Sequence, residues 1–360
     1  MKEIQGMIHK SELVFGLDTF GDVTVDATGT RLPQAQVIRN VVEEGVLADR
    51  LGVDAFGVGE HHRADFAISA PELVLAAIAS RTERIRLGTA VTVLSSDDPV
   101  RVFEKFATLD AISTGRSEIT LGRGSFTEFF PLFGFDLADY EQLFSEKLEL
   151  MSRLLTEQAV TWEGTLRAAL TAQQVYPKTE SGHIPTWIGV GGSPESVVRA
   201  AQYGFPLALA IIGGDPARFA PYVELYRRAL DHFGKERLPV AVHSPGFIAE
   251  TDQEAKEVLW PHYQAMLTRI GRERGWPPIT RERFEAEVDH GALHVGSPET
   301  VARKIAQTAR VVEVDRFDLK YSNGTLPHER LMTTIELYAT QVIPRVRELL
   351  STDAVAAAAA

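Results

Sequence analysis

The stretch TWIGVGGSPESVVRAAQYGFPLALAII (Thr186–Ile212) decides the fold. Thr186–Val190 is an apolar run of strand length, and Gly191-Gly192 breaks it. Ser193 then offers an N-cap and Pro194 suits the first helical position, so Pro194–Tyr203 reads as a helix. A second apolar run, Pro206–Ile212, follows almost at once. Two strands separated by one helix make a parallel pair, because a parallel neighbour is reached only through a crossover.

The same alternation continues outward in both directions. Before it, strands at Leu13–Leu17, Ala55–Val58, Ile85–Val93 and Ser117–Leu121 alternate with helices at Gln34–Leu51, Pro71–Ser80, Pro99–Ile112 and Tyr140–Leu155. After it come helix Pro216–Phe233, strand Val240–Ile248, a helical region from Asp252 to about Ile270, strand Phe317–Lys320 and helix Pro327–Leu350. Eight strands, each followed by a helix and with no break in composition, predict an α/β chain folded as a single (β/α)8 barrel over residues 1–350. A doubly wound open sheet is the structural alternative. Residues 351–360 are mostly alanine and read as a frayed tail. Two stretches exceed the short connections of a barrel and read as long loops able to roof its mouth. Gly122–Asp139, after strand four, carries Phe126, Phe129, Phe130, Phe133 and Phe135. Gly271–Gly296, before strand eight, carries Trp276 and a charged run from Arg281 to Asp289.

Composition narrows the function. The 360 residues carry a formal net charge of -12, which argues against a nucleic-acid or anionic-membrane surface. There is no cysteine, so disulfides, thiolate catalysis, iron–sulfur clusters and Cys-based zinc sites are excluded. The N-terminus lacks a basic segment leading into a long apolar core, and no apolar run is long enough to span a bilayer. The expectation is a cytoplasmic acidic enzyme.

Chemistry in a parallel barrel belongs at the C-terminal ends of the strands. Gly59-Glu60-His61-His62-Arg63, after strand two, is the densest ionisable cluster there. A histidine at such a point suits acid–base work near neutral pH, with Glu60 orienting it, while the plainer alternative is that Glu60 only caps the next segment. A metal site is the weakest reading, because no HExxH occurs and the remaining carboxylates do not converge in sequence. Gly122-Arg123-Gly124-Ser125, after strand four, places a guanidinium where the backbone is free to approach a phosphate. Gly191-Gly192-Ser193, at the start of a helix, exposes N–H groups that favour an anion. Val295-Gly296-Ser297-Pro298-Glu299 repeats the Ser-Pro-Glu start with no strand read before it, so that tripeptide alone marks only a helix start. Gly88-Thr89-Ala90-Val91-Thr92 ends strand three with side chains small enough for a flat ligand to approach.

Taken together, these segments resemble the bacterial-luciferase-like family of flavin-dependent oxidoreductases. The resemblance rests on Gly59-Glu60-His61-His62, Arg86-Leu87-Gly88-Thr89-Ala90-Val91, Pro99-Val100-Arg101, Leu109-Asp110, Ser113-Thr114-Gly115-Arg116, Leu121-Gly122-Arg123-Gly124, Phe133-Gly134, Gly191-Gly192-Ser193, Ala200-Ala201-Gln202-Tyr203-Gly204 and Pro344-Arg345-Val346, in that order. It implies a TIM barrel that uses reduced FMN and molecular oxygen to oxidise a small organic substrate. Gly191, Gly192 and Ser193 would take the FMN phosphate, with Arg123 pairing to it and Ser196 adding a hydroxyl. Thr89, Ala90 and Val91 would lie under the flavin ring, where the family often has a non-prolyl cis peptide. His61 matches the family's catalytic histidine, with Glu60 and His62 in support. The resemblance further implies a homodimer and a separate NAD(P)H-dependent flavin reductase. An F420-dependent oxidoreductase on the same barrel is one alternative. A phosphate-binding lyase or hydrolase using Glu60, His61 and His62 is another, and a non-enzymatic flavin-binding subunit is a third.

Overall fold

The structure, a computed structural model, describes residues 13–358. In chain order the first half runs β1 (Val14–Thr19), α1 (Gln34–Leu51), β2 (Ala55–Val58), α2 (Pro71–Ala79), β3 (Arg86–Thr89), β4 (Thr92–Val93), α3 (Pro99–Ser113), β5 (Ile119–Gly122), α4 (Phe129–Phe133), α5 (Tyr140–Leu154), β6 (Val160–Trp162) and β7 (Leu170–Gln173). The second half runs β8 (Thr186–Val190), α6 (Pro194–Tyr203), β9 (Leu207–Ala210), α7 (Ala220–His232), β10 (Val240–Ile248), α8 (Asp252–Arg274), α9 (Arg281–Asp289), β11 (His294–Gly296), α10 (Pro298–Val312), β12 (Arg316–Lys320), α11 (His328–Leu337) and α12 (Ile343–Ala358).

The main strands pair side by side in the order β3-β2-β1-β12-β10-β9-β8-β5-β4, all parallel. β3 and β4 are two pieces of one barrel strand, parted where the Ala90–Val91 peptide is cis. Both pieces lie against the β5 edge. Thr92 pairs with Leu121, and Leu87 bridges Ser117, with the Leu87 amide donating to Arg116 O at 2.9 Å. The sheet therefore closes on itself, as the alternation predicts, and the open doubly wound alternative falls.

Helix starts follow the sequence signals. Asp98 caps α3, accepting from the Val100 amide at 2.9 Å with Pro99 in the first turn. Gly52, in the left-handed region at φ 84°, ends α1. Among the described residues no helix is long and apolar enough to cross a membrane.

Three features differ from the sequence reading. The segment before strand eight is not a loop. α8 runs on to Arg274, α9 packs Phe284 and Val288 into the core, and β11 pairs with β10. Ser297-Pro298-Glu299 is accordingly preceded by a strand. The stretch after strand four contains the short α4, whose Phe129 and Phe130 make a small core with Val93 and Leu143. Between α5 and β8 an antiparallel hairpin, β6–β7, interrupts the parallel pattern.

The barrel interior is unusually polar in its lower half. The Arg316 guanidinium donates to Asp318 at 2.7 Å and to Glu118 at 2.5 Å, and all three side chains are buried. Glycines on the facing strands make room for these carboxylates. A Cβ on Gly16 would overlap Asp318, one on Gly57 would overlap Asp18, and one on Gly88 would press on Glu118. Burial, followed by the charges of Asp18 and Glu118, raises Asp318 to about 7 despite Arg316. This stack of charge carries the polar interior up toward the mouth.

Candidate active site

The loop after β2 places Glu60 beneath the mouth. Its carboxylate is buried and accepts from the Val93 amide at 2.9 Å, from Ser96 Oγ at 3.3 Å and, across from His62 Nε2, lies at 3.0 Å. Val93 lies just past the cis peptide, so Glu60 ties the end of strand two to the bend in strand three. That is a positioning job, with both carboxylate oxygens occupied by neighbours.

His61 points elsewhere. Its ring stacks on Phe66 with centroids 4.2 Å apart and meets Phe20 at 4.8 Å and Phe126 at 5.4 Å. Burial, with the charges of Lys320, Arg63 and His62, pushes its pKa down to about 3. In the ligand-free protein the imidazole is therefore neutral at pH 7. A neutral ring can donate a hydrogen bond from one nitrogen and accept one at the other.

Strand three supplies a small, flat surface. Thr89 is buried and shares a 2.9 Å hydroxyl contact with Thr92. Val91 lies between the ends of β5 and β8, where Gly122 and Gly189 leave it room. Ala90 lies against Gly57 and Gly59, so the barrel ends here in backbone and small side chains.

The phosphate candidates converge across the mouth. Ser193 caps α6, accepting from the Ser196 amide at 3.3 Å, and its hydroxyl donates to Glu195 at 2.8 Å. Gly192 takes φ 113°, a left-handed value that a side chain would strain, and its carbonyl accepts from Tyr222 Oη at 2.9 Å. A Cβ on Gly191 would meet only open space. Arg123 pairs with Glu141 at 2.8 Å, and Arg199 pairs with the same carboxylate. Both arginines also bear on Glu195, whose carboxyl is held below its usual value first by its own backbone N–H and by Ser193. Arg199 was not singled out from the sequence. Ser193, Ser196 and Arg199 recur every three residues, which was a usable signal, since such positions share a helix face.

These donors fit a phosphate monoester. Arg199 Nη1 is buried with no hydrogen-bond partner, a state that costs free energy unless a ligand supplies an acceptor. An exposed glycine turn at a helix N-terminus, one hydroxyl and two guanidinium groups complete an anion cradle.

The roof of the mouth is built from the phenylalanine-rich stretch. Phe126 lies between two guanidinium groups, with Arg63 4.5 Å and Arg274 5.1 Å from its ring centre. Arg274 also donates to Ser125 O at 2.8 Å, and Arg63 pairs with Asp65 at 3.1 Å and with Glu273 at 2.6 Å. The end of α8, the β2 loop and the phenylalanine stretch are thus pinned together over His61. A cavity of about 260 Å³ opens beside them, lined by Asp22, Asp65, Met266, Arg269 and Gly324 among others.

Known proteins share this barrel. A protein of uncharacterised function from Sinorhizobium fredii is 31% identical over 362 residues, covering 94% of this chain and 99% of its own. The 4-hydroxyprotoasukamycin monooxygenase of Streptomyces nodosus subsp. asukaensis is 27% identical over 318 residues, 82% of this chain and 84% of its own. Among solved structures, the oxygenating constituent of 3,6-diketocamphane monooxygenase from Pseudomonas putida, in complex with FMN, superposes with a TM-score of 0.75 at 20% identity, covering 93% of this chain and 98% of its own. An F420-dependent secondary alcohol dehydrogenase gives 0.72 at 16% identity, over 93% of this chain and 99% of its own. At those identities the structures speak for the barrel alone. A family model described as luciferase-like monooxygenase matches residues 19–313, and with it the chain belongs to the luciferase-like monooxygenase family.

Proposed function

We propose that this protein is a monooxygenase that uses reduced FMN and molecular oxygen to oxidise a small organic substrate at the C-terminal mouth of the barrel. The observation that carries the reading is the cradle of Gly191–Ser193, Arg123 and Arg199, with the Arg199 Nη1 donor buried and unmet. FMN is favoured over F420 by the carboxylates of Glu141 and Glu195 beside that cradle. A compact phosphate fits between the arginines, whereas the acidic tail of a deazaflavin would run into like charge. Membership of a monooxygenase family sets aside the lyase or hydrolase reading, and the buried, hydrogen-bonded Glu60 beside His61 speaks against a non-enzymatic subunit.

Bound in reduced form, the flavin supplies the electrons that activate oxygen. The chain's own residues do the rest. Gly192, Ser193, Ser196, Arg123 and Arg199 anchor the phosphate. Thr89, Ala90 and Val91 support the ring system. Glu60 fixes the two strand ends that meet below it, and His61 presents a neutral ring nitrogen at the reacting edge. Phe20, Phe66 and Phe126 exclude water, which a reactive oxygen species requires. On this reading a separate NAD(P)H-dependent reductase delivers the reduced flavin. Leu73 on α2 and Ile112 on α3 are exposed apolar side chains, on faces suited to a second copy of the chain.

Fluorescence titration of the four tryptophans tests the cofactor directly. FMN or its reduced form should quench with higher affinity than F420, and a preference for F420 overturns the FMN assignment. Arg123→Met and Arg199→Met should each weaken FMN binding about 10- to 100-fold, the loss expected for a charge-assisted bond of about 1.5–3 kcal/mol. Riboflavin, which lacks the phosphate, should bind both variants as it binds the parent. Equal losses for riboflavin would remove the cradle from the argument.

The roof has its own test. Deleting the segment 276–288 would tear out α9, whose Phe284 packs on Trp260 and Tyr263, so a point change is the cleaner probe. Phe126→Ala should raise hydrogen peroxide release severalfold during oxygen consumption with reduced FMN. Unchanged leakage in a folded variant would show that Phe126 does not seal the mouth.

A further inference from the structure

A second histidine, besides His61, packs against Phe20. His243, on β10, brings Nδ1 to 2.5 Å from Asp18 Oδ2. Its ring stacks on Phe20, with centroids 5.8 Å apart and planes 8° from parallel. We propose that His243, oriented by Asp18, is the acid–base residue of this mouth, exchanging a proton with a substrate or cofactor atom that lies over Phe20. The proposal rests on the flavin reading for the identity of what lies there.

The geometry separates the two histidines. The His61 ring packs among Phe20, Phe66 and Phe126, and no side chain among the described residues bonds to its nitrogens. The His243 ring is held by a carboxylate at one nitrogen and by a phenyl face along its plane. With Nδ1 engaged, Nε2 has no protein partner among the described residues, and the side chain keeps 14% exposure. Asp18 is itself buried at 5% exposure, seated in the space left by Gly57.

The surroundings of the pair are charged on one side only. Asp18 and Phe20 face His243 from β1 and the residue after it. Asp318 lies opposite it on β12, at the register position paired with His243, and Ala210 occupies the matching place on β9. The Lys320 ammonium stands 4.6 Å from the centre of the Phe20 ring. An Asp–His pair with the second nitrogen free and the ring still partly exposed is the arrangement that orients an imidazole for proton transfer. As the donor's X–H bond breaks, the Nε2–H bond forms, and Asp18 holds the Nδ1–H of the resulting imidazolium. The proton leaves by the reverse transfer or to water at the mouth. Asp18 touches no reactant and is a positioning residue.

Two measurements test this. In ligand-free protein carrying 15N-histidine, long-range 1H–15N spectra at mildly alkaline pH should show His243 with its proton on Nδ1. Asp18→Asn should shift it toward the Nε2–H form. An Nε2–H tautomer in the parent protein overturns the proposal. In turnover with reduced FMN, a cyclic ketone and a long-chain aldehyde serve as probes. His243→Gln should lower kcat by about 10²- to 10⁴-fold, with FMN affinity held within about threefold. The double variant Asp18→Asn/His243→Gln should be no slower than His243→Gln, because Asp18 acts only through His243. A His243→Gln enzyme that keeps kcat within about threefold of the parent, or losses that multiply in the double variant, overturns the proposal. A parent protein that binds no flavin sinks the flavin reading alone, and the spectra then decide the histidine pair.

Discussion

Arg316→Leu should lower the unfolding free energy by about 3–5 kcal/mol, the cost of leaving buried carboxylates without their counter-charge. Arg316 binds Asp318 at 2.7 Å and Glu118 at 2.5 Å inside the barrel, where all three side chains are largely buried. Burial works against its own charge, and the two carboxylates more than offset that. Leucine would fill part of the volume but supply none of the donors, so Glu118 and Asp318 would face each other across an apolar gap. The measurement is a urea unfolding curve followed by Trp fluorescence. Trp187 lies 5.6 Å from the Arg316 guanidinium and reports locally. The triple variant Glu118→Gln/Arg316→Leu/Asp318→Asn should recover much of the loss, since neutral amides need no counter-charge. A loss below about 1 kcal/mol for the single variant would mean that water reaches the cluster and that the interior is not dry.

This cluster links fold to site. Glycines at 16, 57 and 88 on three consecutive barrel strands each accommodate a carboxylate from a neighbour. An interior filled with branched apolar side chains would pack more simply. The polar filling instead continues upward through Asp18 to His243, and through Lys320 and Asp22, which lie 3.1 Å apart, to the loop that lines the mouth. The core of the barrel and the floor of the site are coupled through charge, since Asp18 acts on buried Asp318. A change at Arg316 is therefore expected to reach the mouth through Asp318.

What was legible in the sequence follows from how much information lies close together along the chain. β8, α6 and β9 are spelled out within one stretch by apolar runs, a serine cap, a proline in the first turn and a closing glycine. The phosphate cradle was legible for the same reason, because Gly191, Gly192 and Ser193 are adjacent. α9 was hidden because it is mostly charged, with only Phe284 and Val288 buried, so its core face is too narrow to show a period. β11 is only three residues long, and the exposed β7 of the hairpin has no apolar face to betray it. The break between β3 and β4 has no signature in the local composition; only the family resemblance anticipated a cis peptide there. The Asp18–His243 pair was illegible for a different reason. Its partners are 225 residues apart, and a polar residue inside a strand reads as solvent-facing unless the barrel is known to be charged within. Arg199 was half-legible, since its spacing from Ser193 and Ser196 pointed to a shared face but not to the unmet donor.

Acid should reveal the two neutral histidines. His294, on β11, is fully buried, with Nδ1 2.8 Å from Ala292 O and its ring edge-on to Phe317. Burial, reinforced by the Lys304 charge, pushes it down to about 3, as burial does for His61. The unfolded chain takes up a proton at each histidine near pH 6.5, while the folded chain takes none until about pH 3. The stability these sites contribute is therefore complete above about pH 6.5 and is lost as pH falls toward 3. For the fully buried His294 the slope is about 1.4 kcal/mol per pH unit, or about 2 kcal/mol by pH 5. Asp318 runs the other way. Its raised value means that the folded chain holds a proton the unfolded chain releases, so its contribution declines as pH rises from about 4 to 7. The parent curve mixes these slopes, and the comparison that isolates the histidines is variant against parent. His294→Gln should be less stable than the parent at pH 7 yet lose about 2 kcal/mol less between pH 7 and pH 5. His61→Gln should show the same flattening with a smaller amplitude, because its ring opens onto the mouth and water screens it. Stability curves for His294→Gln that stay parallel to the parent from pH 7 to pH 5 would show that the buried ring takes up its proton without unfolding.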